Sequence, residues 1–359
     1  MSNIKKIVLT GGPSGGKTEA FKRLKSELSA LGVTAYTLGE SASDIIKSGA
    51  DRLSAYEFQK AIALNQIRME RELESLEPDD NAVIICDRGL MDCAVYLDEE
   101  EFARLKNELN LSDTELRDRY DAAFHFDSTA SDEDIDYITD SIRTENRSEA
   151  ARINERSLRA WCGNPHYRFI PVMDTYEEKF AFFMRELKAF LGIPKPLEIE
   201  RKFLIKYPDT DYLLTLPCRK IEISQTYMLG AQGKFRLRKR GENGGFIYIK
   251  TVKERISDTI REEREDRLSE KEYNLALSSG IQLGTITKDR YCLMYNGTYF
   301  EIDIFPFWKN QAYIEVELMD ENDEISLPPF IEVIREVTHD ARYKNSSLIK
   351  EIPEEDKFS

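Results

Sequence analysis

Apolar positions along the chain follow two regimes that divide near residue 194. Before it, short continuous apolar runs alternate with stretches of helical spacing. Ile7–Val8–Leu9, Val33–Leu38, Val83–Ile84–Ile85–Cys86, Ala122–Phe126 and Arg168–Val172 read as five strands, the third apolar on both faces, as a buried parallel strand is. Between them Glu19–Leu31, Ala55–Leu76, Glu100–Leu109, Glu145–Trp161 and Tyr176–Leu191 read as helices, with Phe21, Leu24, Leu28 and Leu31 on one face of the first. Strand alternating with helix predicts a doubly wound α/β sheet with its site beyond the strand C-termini. Gly192–Ile193–Pro194–Lys195–Pro196 cannot continue the last helix. The expected division is a domain over 1–193, a linker over 194–196, a second domain over 197–352 and a tail over 353–359.

After the linker, strand follows strand with charge at every second position. Successive side chains of a strand point to opposite faces, so Glu198, Glu200 and Lys202 share one face of Leu197–Phe203 while Ile199, Arg201 and Phe203 take the other. Arg236, Arg238 and Arg240 share a face of the next basic run; Lys253 lies on the side of Ile249 and Thr251. Arg261, Glu263 and Glu265 alternate, then Lys288 and Arg290, then Glu301 and Asp303, then Glu315 and Glu317 between Ile314, Val316 and Leu318. An ordinary wet sheet mixes signs, because like charges facing one another repel. Strands sorted by sign suit a closed cavity that holds a polyanion and its metal ions, and about eight strands enclose a ligand-sized interior. A single solvated sheet is the plainer alternative. Lys250 or Lys253 faces inward according to register, since a one-residue slip reverses the face.

A length of 359 residues allows two cores, and 41% hydrophobic with 33% charged residues is a globular composition. A formal net charge of −15 argues against a general nucleic-acid or anionic-membrane binder while leaving room for a local basic cavity. Cys86, Cys93, Cys162, Cys218 and Cys292 are odd in number and widely spaced, which fits reduced thiols in a cytoplasmic protein. No run reaches the ~18 apolar residues of a membrane span. His125, His166 and His339 form no ligand spacing, and Trp161 and Trp308 read as packing residues.

The strand Ile7–Leu9 leads at once into Gly11–Gly12–Pro13–Ser14–Gly15–Gly16–Lys17–Thr18 and then a helix, the G-x-x-x-x-G-K-[ST] phosphate loop in its required context. Loop N–H groups and the helix N-terminus would hold the phosphates of ATP or GTP, with Lys17 on the β- and γ-phosphates and Thr18 on Mg²⁺. Asp87, at the end of a buried strand and followed by Arg88 and Gly89, is placed to hold the metal or its water. The motif set, with Tyr120–Asp121, resembles the P-loop kinase-like ATPases near the thymidylate and deoxynucleoside kinases, and in particular AAA-type domains with Gly-Gly-Pro-x-x-Gly-Lys-Thr and Asp-Arg-Gly. The resemblance spans roughly Lys5 to Gly192. It implies Glu40 as a catalytic base or acceptor contact, Arg88 against an acceptor phosphate, and Arg143, Arg147, Arg152, Arg156 and Arg159 in the place of a kinase lid. A solvated helix paired to Glu145, Glu149 and Glu155 is the plainer account of any single one of those arginines.

From Leu197 to about Ile349 the ordered set Glu198–Glu200–Lys202, Gln225–Tyr227, Arg236–Arg238, Thr251–Lys253, Arg261–Glu263–Glu265, Lys288–Arg290, Asp303, Glu315–Glu317 and Arg342–Asn345 is similar to the CYTH domains, the triphosphate tunnel metalloenzymes. That resemblance implies an α+β domain with an eight-stranded antiparallel β tunnel that takes a nucleoside triphosphate or tripolyphosphate with Mg²⁺ or Mn²⁺. Glu198, Glu200, Glu315, Glu317 and Asp303 are then expected as metal ligands, Lys202, Arg236, Arg238, Lys253, Lys288 and Arg290 as phosphate contacts, and Glu263 and Glu265 as groups placing a second metal or the attacking water. A triphosphate carries about four negative charges, so arginines and lysines with hard oxygen ligands for the metal suit phosphoryl transfer to water. The expected function is a metal-dependent triphosphate hydrolase joined to an NTP-binding kinase-like domain; an NTP-sensing binding protein and an adenylate cyclase are the other readings the resemblance permits.

Overall fold

A computed structural model of the protein describes residues 4–39, 45, 53–76, 81–131, 146–194, 199–231, 233–255, 261–320 and 322–356, with the backbone alone for 253–255 and 261–263. The chain divides into two compact units between residues 197 and 198. Glu40 and Glu198 lie outside the described residues, as do Arg143 and Glu145.

In the first unit the five expected strands form, as β1 Lys5–Thr10, β2 Thr34–Leu38, β3 Ala82–Asp87, β4 Ala122–Phe126 and β5 Tyr167–Ile170. They pair in parallel in the order β2-β3-β1-β4-β5. Helices α1 Lys17–Ala30, α2 Ala55–Glu74, α3 Glu99–Leu109, α4 Asp113–Asp118, α5 Arg147–Trp161 and α6 Tyr176–Leu191 connect or flank them. The starts of α3 to α6 follow capping boxes, in which Asp98, Ser112, Asn146 and Thr175 exchange hydrogen bonds with Glu101, Glu115, Glu149 and Glu178. The short helix α4 was not among the expected elements. Ile7, Leu9, Phe124 and Phe126 of the central strands pack against Leu24 and Leu28 of α1 and Phe183 and Leu187 of α6 in one core.

A buried ionic cluster anchors this sheet. Glu70 on α2, with a wholly buried side chain, meets the Lys6 ammonium and the Arg119 guanidinium at 2.8 Å each. Tyr120 Oη donates to Glu70 Oε1 at 2.7 Å, and Asp121 Oδ2 accepts from the Lys6 backbone N–H at 2.7 Å. The Tyr120–Asp121 pair therefore ties β1 to α2 and to the turn before β4, a structural duty.

The second unit is a sheet with β6 Ile199–Lys206, β7 Cys218–Gly230, β8 Gly233–Glu242, β9 Gly245–Arg255, β10 Arg261–Leu268, β11 Ile281–Tyr295, β12 Thr298–Ile304, β13 Gln311–Leu318 and β14 Val333–Glu336, with helices α7 Thr210–Thr215 and α8 Glu270–Ser279. Its order is β10-β9-β8-β7-β11-β12-β13-β6-β14. Among the described residues that makes nine strands where eight were expected. The addition is β14, four residues that pair antiparallel with the edge of β6 and satisfy backbone groups there. Asn243–Gly244 and Asn296–Gly297, all at positive φ, turn the β8–β9 and β11–β12 hairpins, as type I′ turns require. One face of the sheet is apolar. Phe203, Ile205, Leu293, Phe300, Ile302 and Ile314 pack with Leu213 of α7, and Met228 and Leu237 pack with Tyr273 of α8. Among the described residues no helix is long and apolar enough to cross a membrane.

Burial disfavours the Glu70 carboxylate, but Lys6 and Arg119 outweigh it and hold the group below its ordinary 4.5. Its contribution to stability is thus complete above pH 4.5 and fades as acid takes the pH down through the lowered folded value. Glu70→Leu, which takes the buried carboxylate from Arg119 and leaves Lys6 with Glu74, is expected to destabilise the first unit by about 3–5 kcal/mol in denaturant titration and to flatten that acid limb.

Candidate functional site

Each unit gathers one set of the residues singled out in the sequence. In the first, β1 ends at Thr10 and its neighbour β3 at Asp87, with Leu9 paired to Asp87, so the glycine loop and the aspartate leave the sheet side by side. Lys17, buried at the start of α1, donates to the carbonyls of Gly11 at 2.8 Å and Gly12 at 2.6 Å. The N–H of Gly12 is held from the other side by Asn154 Oδ1 of α5 at 3.0 Å. Asn154 also donates to Asp127 Oδ1 at 2.7 Å and Ser131 Oγ at 3.0 Å. A Cβ on Gly12 would stand 2.7 Å from that of Asn154, which is why the position takes glycine. Asn154 Oδ1 lies 3.1 Å from His125 Nε2, so the imidazole donates there; burial and then Lys17 pull His125 down to about 3 and keep it neutral. Ser14 and Arg88 adopt positive φ in the two loops. Thr18 is exposed beside the loop. Gly15 and Gly16 complete the cradle, with Pro13 accepting from Ser128 Oγ at 2.5 Å.

The loop after β3 rests on Asp92, which accepts from Thr10 Oγ1 at 2.6 Å, from the Gly89 N–H at 2.8 Å and from Trp161 Nε1 at 3.1 Å. Of the arginines expected in a lid, Arg156 is spent on the carbonyls of Ala94 and Leu97, and Arg159 pairs with Glu155 one turn away at 2.8 Å. Arg152 is exposed.

The second site is one face of the antiparallel sheet, and register assembles it. Glu200 lies opposite Glu317 and Lys202 opposite Glu315 between β6 and β13; Glu315 lies opposite Glu301 between β13 and β12. Across β7, Arg238 faces Gln225 and Arg236 faces Tyr227, while Lys288 and Arg290 of β11 face Ile223 and Ile221. Thr251 of β9 pairs with Arg236 on one side and Glu265 of β10 on the other, and position 253 pairs with position 263. This register answers the Lys250 question: Lys250 pairs with Leu237 and Asp266, and its ammonium sits over the Phe235 ring on the opposite face.

Charge on this face is paired with care. Arg290 donates from Nε to Asp303 Oδ1 and from Nη2 to Asp303 Oδ2, both at 2.7 Å, and to Glu315 Oε2 at 2.9 Å, with Glu301 on its Nη1. Lys288 closes on Asp303 as well, and both side chains are only 1% exposed. Burial works against the Asp303 carboxylate, but Arg290 and Lys288 hold it well below its ordinary range. Lys202 meets Glu315 at 2.6 Å and Glu200 at 3.5 Å. Burial, and then Glu315, pushes the Glu200 carboxyl up; burial also raises Glu301, with Glu315 and Asp303 adding to it against Arg290. On the basic side Arg236 approaches Glu265 at 3.5 Å and Arg238 the same oxygen at 4.0 Å. Burial and then Arg236 bring Arg238 down to about 10, with Glu265 acting the other way.

The face thus gathers the expected Glu200, Lys202, Arg236, Arg238, Glu265, Lys288, Arg290, Asp303, Glu315 and Glu317, while the side chains of Lys253 and Glu263 lie outside the described residues. Asp303, expected as a metal ligand, accepts from both Lys288 and Arg290, which were expected as phosphate contacts. Glu301, absent from the expected set, belongs to the cluster through Arg290; its signal was the alternation with Asp303. Among the described residues no three carboxylates, thiolates or imidazoles close round one point, since Glu315 is drawn to Lys202 and Arg290. The donor chemistry nevertheless fits a divalent cation: oxygen ligands alone, two of them raised by burial and mutual repulsion that a cation would relieve. A cavity of about 650 Å³ is lined by Lys239, Phe246, Asp289, Trp308 and Lys309, with Ile223 and Lys288 also bordering it.

Arg290→Met leaves Asp303, Glu301 and Glu315 short of their shared cation and is expected to destabilise the second unit by about 3–5 kcal/mol in denaturant titration. Arg290→Lys, which loses the fork that reaches three carboxylates, should recover only part of it.

The profile of the family described as AAA domain matches residues 6–179, and that of the CYTH domain matches residues 196–350. An inorganic triphosphatase of Acetivibrio thermocellus is 31% identical over 155 residues, 43% of this chain and 93% of that protein. Crystal structures of the hypothetical protein NE1496 and of the inorganic triphosphatase NE1496 are 29% and 28% identical. Each covers 44% of this chain, and 100% and 97% of its own chain, with TM-scores of 0.33 and 0.31. The second half of this chain belongs to the CYTH family, and an AAA-type domain is joined ahead of it.

Proposed function

We propose that the second unit hydrolyses a triphosphate, tripolyphosphate or a nucleoside triphosphate, with Mg²⁺ or Mn²⁺, and that the first unit binds ATP or GTP at its own site. The observation that carries this reading is the sorting of one sheet face into a carboxylate end, with Glu200, Glu301, Glu315 and Glu317, and a basic end with Arg236 and Arg238. Family membership and the triphosphatase relative support it.

Glu200, Glu315 and Glu317, with Glu301 beside them and Glu198 ahead of them in the chain, would hold the divalent cation. When bound, such a cation polarises phosphoryl oxygens and lowers the pKa of a bound water. Arg236 and Arg238 offset charge on the phosphate chain. Lys202, between Glu200 and Glu315, orients both carboxylates and presents an ammonium to the same space. Arg290 and Lys288 act from beneath, fixing Asp303 and Glu315 in place. Glu265, partly exposed and within reach of Arg236, is placed to accept a proton from water at the basic end. In the first unit the clamped Gly11–Gly12 peptide, Lys17, Thr18, Asp87 and Arg88 form the nucleotide site, with Glu40 as the candidate base.

Phosphate release from tripolyphosphate or ATP in the presence of Mg²⁺ or Mn²⁺ is the test. Glu200→Ala should lower turnover at least a hundredfold, while Lys17→Ala leaves it intact and instead removes nucleotide binding by the first unit in calorimetry. No release from any triphosphate by the wild type would overturn the hydrolase reading.

A further inference from the structure

Lys17 donates to two consecutive carbonyls, and the peptides that supply them are not equally fixed. The Gly12 carbonyl belongs to the peptide with Pro13, whose ring sets φ and which has no N–H. The Gly11 carbonyl belongs to the Gly11–Gly12 peptide, which has no Cβ on either side and Gly11 at φ 122°. Such a peptide can turn over at small steric cost. Its N–H and C=O point in opposite directions, because the unit is planar and trans. Whatever holds the Gly12 N–H therefore decides where the Gly11 carbonyl points.

Asn154 of α5, 5% exposed, holds it. Its Oδ1 accepts from the Gly12 N–H at 3.0 Å, and the Gly11 carbonyl meets Lys17 Nζ at 2.8 Å. The amide is itself locked. Oδ1 takes a second N–H from neutral His125, while Nδ2 gives its two hydrogens to Asp127 Oδ1 and Ser131 Oγ. Reversing the amide would set N–H against N–H at Gly12. These partners lie on β4 and in the turn after it, so α5 delivers the amide and β4 fixes its sense.

Ser157 lies three residues on, on the same face of α5, and holds the helix at a different point. Thr10 Oγ1 gives its one hydrogen to Asp92 at 2.6 Å, so Ser157 Oγ donates to Thr10 at 3.0 Å.

We propose that Asn154 is a positioning residue of the nucleotide site: by fixing the Gly12 N–H it aims the Gly11 carbonyl at Lys17, and so sets the ammonium for the phosphates. The proposal rests on the nucleotide-binding reading of the first unit. With the peptide reversed, its N–H would face the ammonium and Lys17 would lose one of its two carbonyls.

The test is calorimetric titration of ATP with Mg²⁺ into the full-length protein and its Asn154→Leu and Ser157→Ala variants. All carry Glu200→Ala, so that the second unit does not consume the ATP, and the binding lost on Lys17→Ala defines the first site. Asn154→Leu, of similar size but without the amide, should raise the Kd about three- to tenfold, the range for one hydrogen bond. Ser157→Ala also removes a buried bond of α5; it should lower the melting temperature of the first unit yet leave the Kd within about twofold. Asn154→Ala should show the same rise as Asn154→Leu and serves if the Leu variant fails to fold. An unchanged Kd in a folded Leu or Ala variant, or an equal rise in Ser157→Ala, would overturn the proposal and leave the nucleotide reading standing. Wild-type protein with no Lys17-dependent binding of ATP would overturn that reading itself.

Discussion

The second unit depends on burying charge in one face of a β-sheet at tolerable cost. Ionised groups taken out of water lose several kcal/mol each unless another charge and a full set of hydrogen bonds meet them. Arg290 supplies that partner three times over, to Asp303, Glu301 and Glu315, and Lys202 supplies it to Glu315 and Glu200. The pairing is incomplete in a patterned way. Carboxylates crowd at one end, where Glu200 and Glu301 are pushed up, and guanidiniums crowd at the other, where Arg238 is pulled down. A metal-bound polyanion carries the opposite polarity at each end, so the strain in the protein alone matches what that ligand would relieve.

The apolar back of the same strands makes this possible. Phe203, Ile205, Ile302 and Ile314 alternate with the charged positions and pack under α7, while Leu237 packs under α8. Burial of those side chains at roughly 25 cal/mol per Å² holds the register, and the register decides which charges meet. A slip of one residue would put acids into the apolar layer and aliphatics into the site. The ionic face is therefore specified by the hydrophobic one.

Much of this was legible in the sequence because strand alternation is a rigid rule. The five parallel strands, the glycine loop and the inward set from Glu200 to Glu317 all follow from period and motif. What was not legible depended on pairing. Lys250 or Lys253 faces the site according to which residues of β8 and β10 stand opposite, and only the register with Leu237 and Asp266 decides it. Strand β14 is four residues without a repeated pattern, recruited by the open edge of β6. That Lys288 closes on Asp303 is a fact of side-chain geometry that neither residue's position in the sequence reveals. Likewise Asn154 sits mid-helix in an arginine-rich stretch, with nothing local to mark it as the brace of Gly12.

The candidate sites of the two units rest on different physics. In the first, the chemistry is in the main chain: Gly12 must be glycine because Asn154 stands where a Cβ would go, and Lys17 and Asn154 together clamp one peptide from both sides. Backbone donors of this kind carry no net charge, and the Lys17 ammonium beside them is met by the Gly11 and Gly12 carbonyls. In the second, the chemistry is in side chains, and every cation must be matched or left strained. That asymmetry fits the ionic cluster of the first unit at Glu70 lying in a supporting position while those of the second lie on the charged sheet face itself. It also locates the sensitivity of each: the loop fails when a backbone position gains bulk, and the sheet face fails when a single charge is removed from a balanced set.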